Sequence, residues 1–175
     1  MKVVCDADGL IKMAKAGILE ALAGRVELLV GPQVYHEAVE EGKARGYPDA
    51  LDLERILKAK AQVLRPSQRK QKRSPEDRAI EALPMGAGEK ETLRVYSRER
   101  ADAVLSDDRG FLAALEELGI PYLTPAAALV LFTQQAAFAL QEAQKALERL
   151  CPLIRKEQYE AARRDLQALQ ERSES

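Results

Sequence analysis

Apolar residues in this chain alternate between short contiguous runs and stretches spaced three or four apart, and the alternation is regular. The run KVVC at 2–5 is β-branched and ends at an acid. Leu10, Ile11, Met13, Ala14, Ile18, Leu19 and Leu22 then follow at helical spacing, which predicts strand, turn, helix. VELLV at 26–30 predicts a second strand. Gly31-Pro32 opens the next helix, carrying Val34, Glu37, Ala38 and Val39, because proline is tolerated in a first turn. A helix over about 48–59 precedes a short strand, AQVL at 61–64, before the break at Arg65-Pro66-Ser67. Ser74-Pro75-Glu76-Asp77 has the composition of a helix start, with a serine cap and acids facing the positive end of the dipole. Pro84-Met85-Gly86-Ala87-Gly88 ends that piece, and Glu89 begins a helix through Leu93 and Tyr96. ADAVLS at 101–106 is a strand, FLAALEELG a helix with a glycine stop, and IPYL at 120–123 a last strand. Beyond Thr124-Pro125 the chain is rich in Ala, Leu, Gln, Glu and Arg, with amphipathic spacing broken near Cys151-Pro152.

Strands that alternate with helices imply an α/β fold with three layers, α/β/α, around a central, mostly parallel sheet of about five short strands. The expected organisation is one domain over 1–134 and a helical C-terminal extension over 135–175, packed on that domain or on a partner. A chain of 175 residues has room for one such domain with a core of ordinary size.

Composition narrows the class. Hydrophobic residues make up 46% and charged residues 31%, the balance of an ordered globular protein. No apolar run approaches the roughly 20 residues that span a bilayer, and MKVVCDAD lacks the features of a signal peptide, so no membrane partner and a cytoplasmic location are expected. Cys5 and Cys151 with a single histidine, His36, do not make a disulfide framework or a zinc site. A net charge of -1 argues against nonspecific coating of nucleic acid, so any such contact is local. The one strongly basic stretch runs from 65 to 73; Arg65, Arg69, Lys70, Lys72 and Arg73 are its candidate phosphate contacts.

In parallel α/β folds ligands bind beyond the carboxyl ends of the strands. Asp6 and Asp8 follow the first strand, and Asp107 and Asp108 follow ADAVLS, so both pairs fall at one edge. Glu37, in the helix after the second strand, and Glu89, after a glycine pair, are expected to lean over that edge. Two carboxylates about 5 Å apart repel by roughly 3 kcal/mol at an effective dielectric near 20, so such a cluster takes up protons or a cation. Oxygen-only ligands select hard ions, Mg²⁺ or Mn²⁺, which make water a usable nucleophile near neutral pH. His36 reads as an ordinary helix residue beside Glu37.

These blocks resemble the PIN domain family. VVCDADGLIKMAKAG is similar to its opening strand, with the first acid at Asp6, Asp8 two residues on and the apolar pair Leu10-Ile11. GPQVYHEAVEEG resembles the second block, with Glu37. GAGEKETL resembles the Gly-Glu-x-Glu block of a VapC-like branch, where Glu89 stands for the more usual aspartate. VLSDDRGF resembles the fourth block, matched in order by Ser106, Asp107, Asp108 and Phe111. The resemblance covers about 1–125 and, weakly, YLTPAAALVLF. It implies hydrolysis of RNA phosphodiesters with Mg²⁺ or Mn²⁺, and many members are toxins paired with an antitoxin. The basic insert and the extension past 135 exceed a minimal toxin.

On this reading Asp6, Glu37, Glu89 and Asp108 are catalytic, Asp6, Glu89 and Asp108 hold the ion, and Asp8, Ser106 and Asp107 tune the surroundings or position phosphate. RNA is the expected substrate, with an antitoxin or a second copy as possible partners. Two alternatives compete. VVCDADGLI also resembles the Asp-x-Asp signature of haloacid-dehalogenase phosphatases, with Asp6 as nucleophile, but that leaves Glu37 and Glu89 unexplained. A noncatalytic PIN-like module would bind RNA or protein without cutting.

Overall fold

A computed structural model describes residues 1–64 and 74–173. The basic residues Arg65, Arg69, Lys70, Lys72 and Arg73 lie outside the described residues. Five strands form one all-parallel sheet: β1 (Lys2–Cys5), β2 (Glu27–Val30), β3 (Gln62–Val63), β4 (Ala103–Leu105) and β5 (Tyr122–Leu123). Their order is β3-β2-β1-β4-β5. From β1 the chain moves outward through β2 to β3, then crosses back to place β4 on the other flank of β1. The reversal between β1 and β4 opens the crevice in which parallel sheets hold ligands.

Register makes that crevice specific. Cys5 is paired with both Val30 and Leu105, so three strands stop level with one another. Whatever follows them, Asp6, Gly31 and Ser106, starts from the same edge.

The sheet is buried on both faces, as crossover connections require. Val3, Cys5, Leu28, Val30 and Leu105 point to one side. They pack with α1 (Ala7–Lys15), α2 (Leu19–Ala23), α5 (Asp49–Lys60), α9 (Pro125–Gln134), α10 (Leu140–Leu150) and α11 (Lys156–Ser173). Val4, Leu29 and Val104 point to the other, toward α7 (Ala87–Glu99) and α8 (Arg109–Glu117), with α6 (Pro75–Ala82) outside them. This is a three-layer α/β/α fold, and Ala143, Leu147, Leu150, Ala162 and Leu166 of the C-terminal helices share a core with β1.

The chain after β2 departs from a plain helix. α3 (Pro32–Tyr35) runs into a π-helical stretch, His36–Glu41, and then α4 (Gly42–Ala44). Wider turns rotate the side chains out of α-helical phase, and single π turns recur at functional positions. Glu37 sits in this stretch.

Candidate functional site

Asp6 and Asp108 are both helix caps. Asp6 follows β1, and its Oδ1 accepts from the Gly9 backbone N–H at 2.7 Å, capping α1. Asp108 Oδ1 accepts from Phe111 N–H at 2.8 Å, capping α8. Fully buried Ser106 joins them: its hydroxyl donates to Asp6 Oδ2 and accepts from Asp108 N–H at 3.1 Å. The close seating of α1 depends on Gly9, because a Cβ there would lie 2.8 Å from the Leu105 carbonyl and 3.0 Å from Asp6 Oδ1.

This surrounding is hostile to a negative charge. Burial drives the Asp6 carboxyl from its ordinary 3.8 to about 7, and the charges of Asp8 and Asp108 push the same way, against the hydrogen bonds from Ser106 and Gly9.

Asp107 is buried, with both carboxylate oxygens engaged. Its side chain is 3% exposed; Lys12 Nζ reaches Oδ2 at 2.7 Å and Gln158 of α11 donates to Oδ1 at 2.6 Å. Lys12 also holds Asp8, one turn earlier on α1, at 2.8 Å. Burial works against the Lys12 ammonium, but its hydrogen bonds to Asp107 and Asp8 outweigh it and hold the pKa above the ordinary lysine value.

Glu37 and Glu89 each have a partner close by. Glu37 is half-buried; Gln33 Nε2 donates to it at 3.0 Å, and its carboxylate lies so near Gly88 that a Cβ there would be 3.1 Å from Oε2. Glu89 is the third residue of α7, and its carboxylate turns back to accept from the Gly86 N–H at 2.6 Å. It completes a cap that glycine, having no side chain, cannot make for itself. Among the described residues, no three His, Cys, Asp or Glu side chains stand as a group able to hold an ion, so the expected meeting of four carboxylates does not occur in this arrangement. His36 is exposed and paired with Glu40 at 2.5 Å.

Glu91 was not anticipated as a site neighbour. From α7 its Oε2 accepts from Gln33 N–H at 2.7 Å and Val34 N–H at 3.3 Å, capping α3 from another element. Burial raises its pKa and the Glu37 charge adds to the rise, while those backbone bonds and Arg94 oppose it. A Cβ at Gly31 would run into this carboxylate, which explains the glycine at the exit of β2. The second acid of Gly88-Glu89-Lys90-Glu91 was the available signal. Lys12 had one too, its four-residue spacing from Asp8; Gln158 had none.

The donor set suits a hard divalent cation in its chemistry: all oxygen, with one buried carboxyl whose ionisation a positive charge would favour. A profile of the family DUF3368, described as a PIN domain, matches residues 2–170. The chain belongs to the PIN domain family. PIN domains are generally nucleases, generally use divalent metal ions and often bind RNA, so the fold points to a nuclease-like module. The match does not favour the phosphatase reading of Asp6. No curated protein sequence matches the chain. Among solved structures it is similar to a PilT N-terminus domain protein of the hyperthermophilic archaeon Sulfolobus solfataricus P2, at 15% identity and a TM-score of 0.44, covering 73% of this chain and 90% of that one. No helix among the described residues is long and apolar enough to cross a membrane.

Proposed function

We propose that this PIN domain is a divalent-cation-dependent ribonuclease of the VapC-like branch, with Asp6, Glu89 and Asp108 as ligands of a Mg²⁺ or Mn²⁺ ion and Glu37 assisting. One observation carries the proposal: a carboxyl group sits buried where the sheet order reverses, beside Asp8 and Asp108, with its pKa near 7. Perturbed acids in a ligand crevice mark functional sites more often than structural ones.

When bound, the ion supplies a water-derived nucleophile at neutral pH and stabilises charge on the attacked phosphate. The protein's own contribution is positional. Ser106 fixes one oxygen of Asp6, and the caps at Gly9 and Phe111 fix one oxygen each of Asp6 and Asp108. Glu37 and Glu89 are partly exposed, and on this reading they would turn toward the ion when it binds. Asp8 and Asp107 shape the surrounding charge, and Arg65, Arg69, Lys70, Lys72 and Arg73 hold the RNA backbone. Hydrolysis by water leaves a 5′-phosphate and a 3′-hydroxyl, and the ribose 2′-hydroxyl takes no part.

The test is a Mn²⁺ titration on fluorescently labelled single-stranded RNA, with Asp6→Asn and Asp108→Asn alongside. Metal-dependent cleavage that both variants lose supports the proposal. Equal turnover by either variant, or complete protection by one 2′-deoxy substitution at the cut site, overturns it. The engagement of Glu89 in its own helix cap favours a second reading, a module that binds RNA without cutting it. Mn²⁺-dependent RNA binding with no product would establish that one.

A further inference from the structure

On the outer flank of the sheet, where β3 is the edge strand, lies a cleft of about 670 Å³ that the metal-centre reading does not use. Tyr35 and His36 line it from the helical run after β2, Leu57 and Ala61 from the end of α5, and Val63 and Leu64 from β3 and the residue after it. Its volume falls in the range of about 300–1,000 Å³ that holds small organic ligands. The lining divides by chemistry. Leu57 is fully buried, and Tyr35, Val63 and Leu64 are half-buried, which makes an apolar interior with one aromatic ring. The rim is ionic and exposed: Lys58 donates to Glu54 at 2.7 Å, and His36 is paired with Glu40. Val30 is in register with both Cys5 and Val63, so Pro32 and Leu64, which also face the cleft, lie past the same strand ends as Asp6.

We propose that this cleft receives one base of a bound single-stranded RNA, stacked on Tyr35 over the apolar interior, with the adjoining phosphate against Lys58. The inference rests on the ribonuclease reading above for the kind of ligand, and not on the metal ion. A base is a flat apolar face with a polar edge and an anionic tail, and the cleft offers a ring, an apolar floor and a rim of mixed charge in matching places. Stacking on an aromatic side chain accepts any base, because every base has a π-face. At the rim Glu40 supplies an acceptor for the base edge and Lys58 a cation for phosphate. Leu64 is joined directly to Arg65, the first of the basic side chains assigned above to the RNA backbone, so the backbone contacts and the base contact are consecutive along the chain.

Fluorescence anisotropy of a labelled single-stranded RNA decamer on the full chain in EDTA tests this without reference to cleavage; if binding requires Mn²⁺, a hydrolysis-resistant phosphorothioate strand is used with the ion. Ala61→Phe fills the cleft from an extended backbone position and should weaken binding about tenfold, as should Tyr35→Ala. Tyr35→Phe keeps the ring and should keep the affinity. Lys58→Gln should weaken binding and lower the salt slope by about one. A 4-thiouridine strand, irradiated on wild type, should cross-link to Tyr35 or to residues 57–64, a readout that stands even where a variant fails to fold. RNA binding by wild type with equal affinity in a folded Ala61→Phe, or with every cross-link elsewhere, overturns the proposal and leaves the ribonuclease reading standing; a cleft that serves a protein partner would give that result. No RNA binding by wild type, in EDTA or in Mn²⁺, removes both.

Discussion

Replacing Asp6 by asparagine should make the metal-free protein more stable, and by an amount that grows with pH. The Asp6 carboxyl titrates at about 7 in the native protein and at its ordinary 3.8 when unfolded. Below pH 3.8 both states are protonated, and the buried group carries no ionic handicap. As pH rises from there the unfolded chain ionises first, so native stability declines until the folded group also ionises near 7, and then levels off. Each tenfold of this difference is worth about 1.4 kcal/mol, which gives an upper figure of about 4 kcal/mol at pH 8 and about 2 kcal/mol at pH 5. Asparagine keeps the cap, since its carbonyl can accept from Gly9 while its amide can donate to the Ser106 oxygen. Urea unfolding of both proteins in EDTA at pH 5 and pH 8 isolates the effect, because other titrating groups cancel in the comparison. Wild type should lose about 2–3 kcal/mol more than Asp6→Asn between the two pH values. Saturating Mn²⁺ at pH 8 should raise the Tm of wild type and leave the variant unmoved. Parallel pH dependence in the two proteins would refute the argument from burial.

Further substitutions separate the supports of the site. Ser106→Ala removes a fully buried hydroxyl that serves two neighbours, and should cost about 1–3 kcal/mol in chemical denaturation while raising the Asp6 pKa further, as read by NMR titration. Gly9→Ala forces α1 away from the Leu105 carbonyl; it should cost about 1–3 kcal/mol and weaken Mn²⁺ binding, measured by calorimetry. Glu91→Ala strips the borrowed cap from α3, with an expected loss of about 1–2 kcal/mol, and Glu91→Gln should recover much of it because its carbonyl still accepts.

What the residues disclosed in advance was what local pattern can encode. Apolar runs at 2–5, 26–30 and 101–106 mark the three central strands, and the capping box at Ser74 is present with both of its hydrogen bonds. Asp6 and Asp108 could be assigned to one edge because parallel strands end together. Interactions decided by distant side chains escaped. Glu89 was read as leaning over the crevice edge, and the bond its carboxylate accepts from Gly86 N–H was not foreseen. The π turn that carries Glu37 changes phase without any proline or glycine to announce it. Nor does anything in the tail foretell that Gln158 reaches Asp107, or that Arg149 donates to the Ala16 carbonyl at 2.7 Å to finish α1. Those contacts follow from packing of helices far apart in sequence.

The double duty of Asp6 has a bearing on how its identity should be weighed. An amide initiates a helix as well as a carboxylate does, and at this position it would also be free of ionisation. A protein shaped for folding alone would thus be better served by asparagine. Carrying the acid leaves the native state in debt at neutral pH by the very free energy that an arriving divalent ion can restore, so occupancy and rigidity of the first helix should rise together.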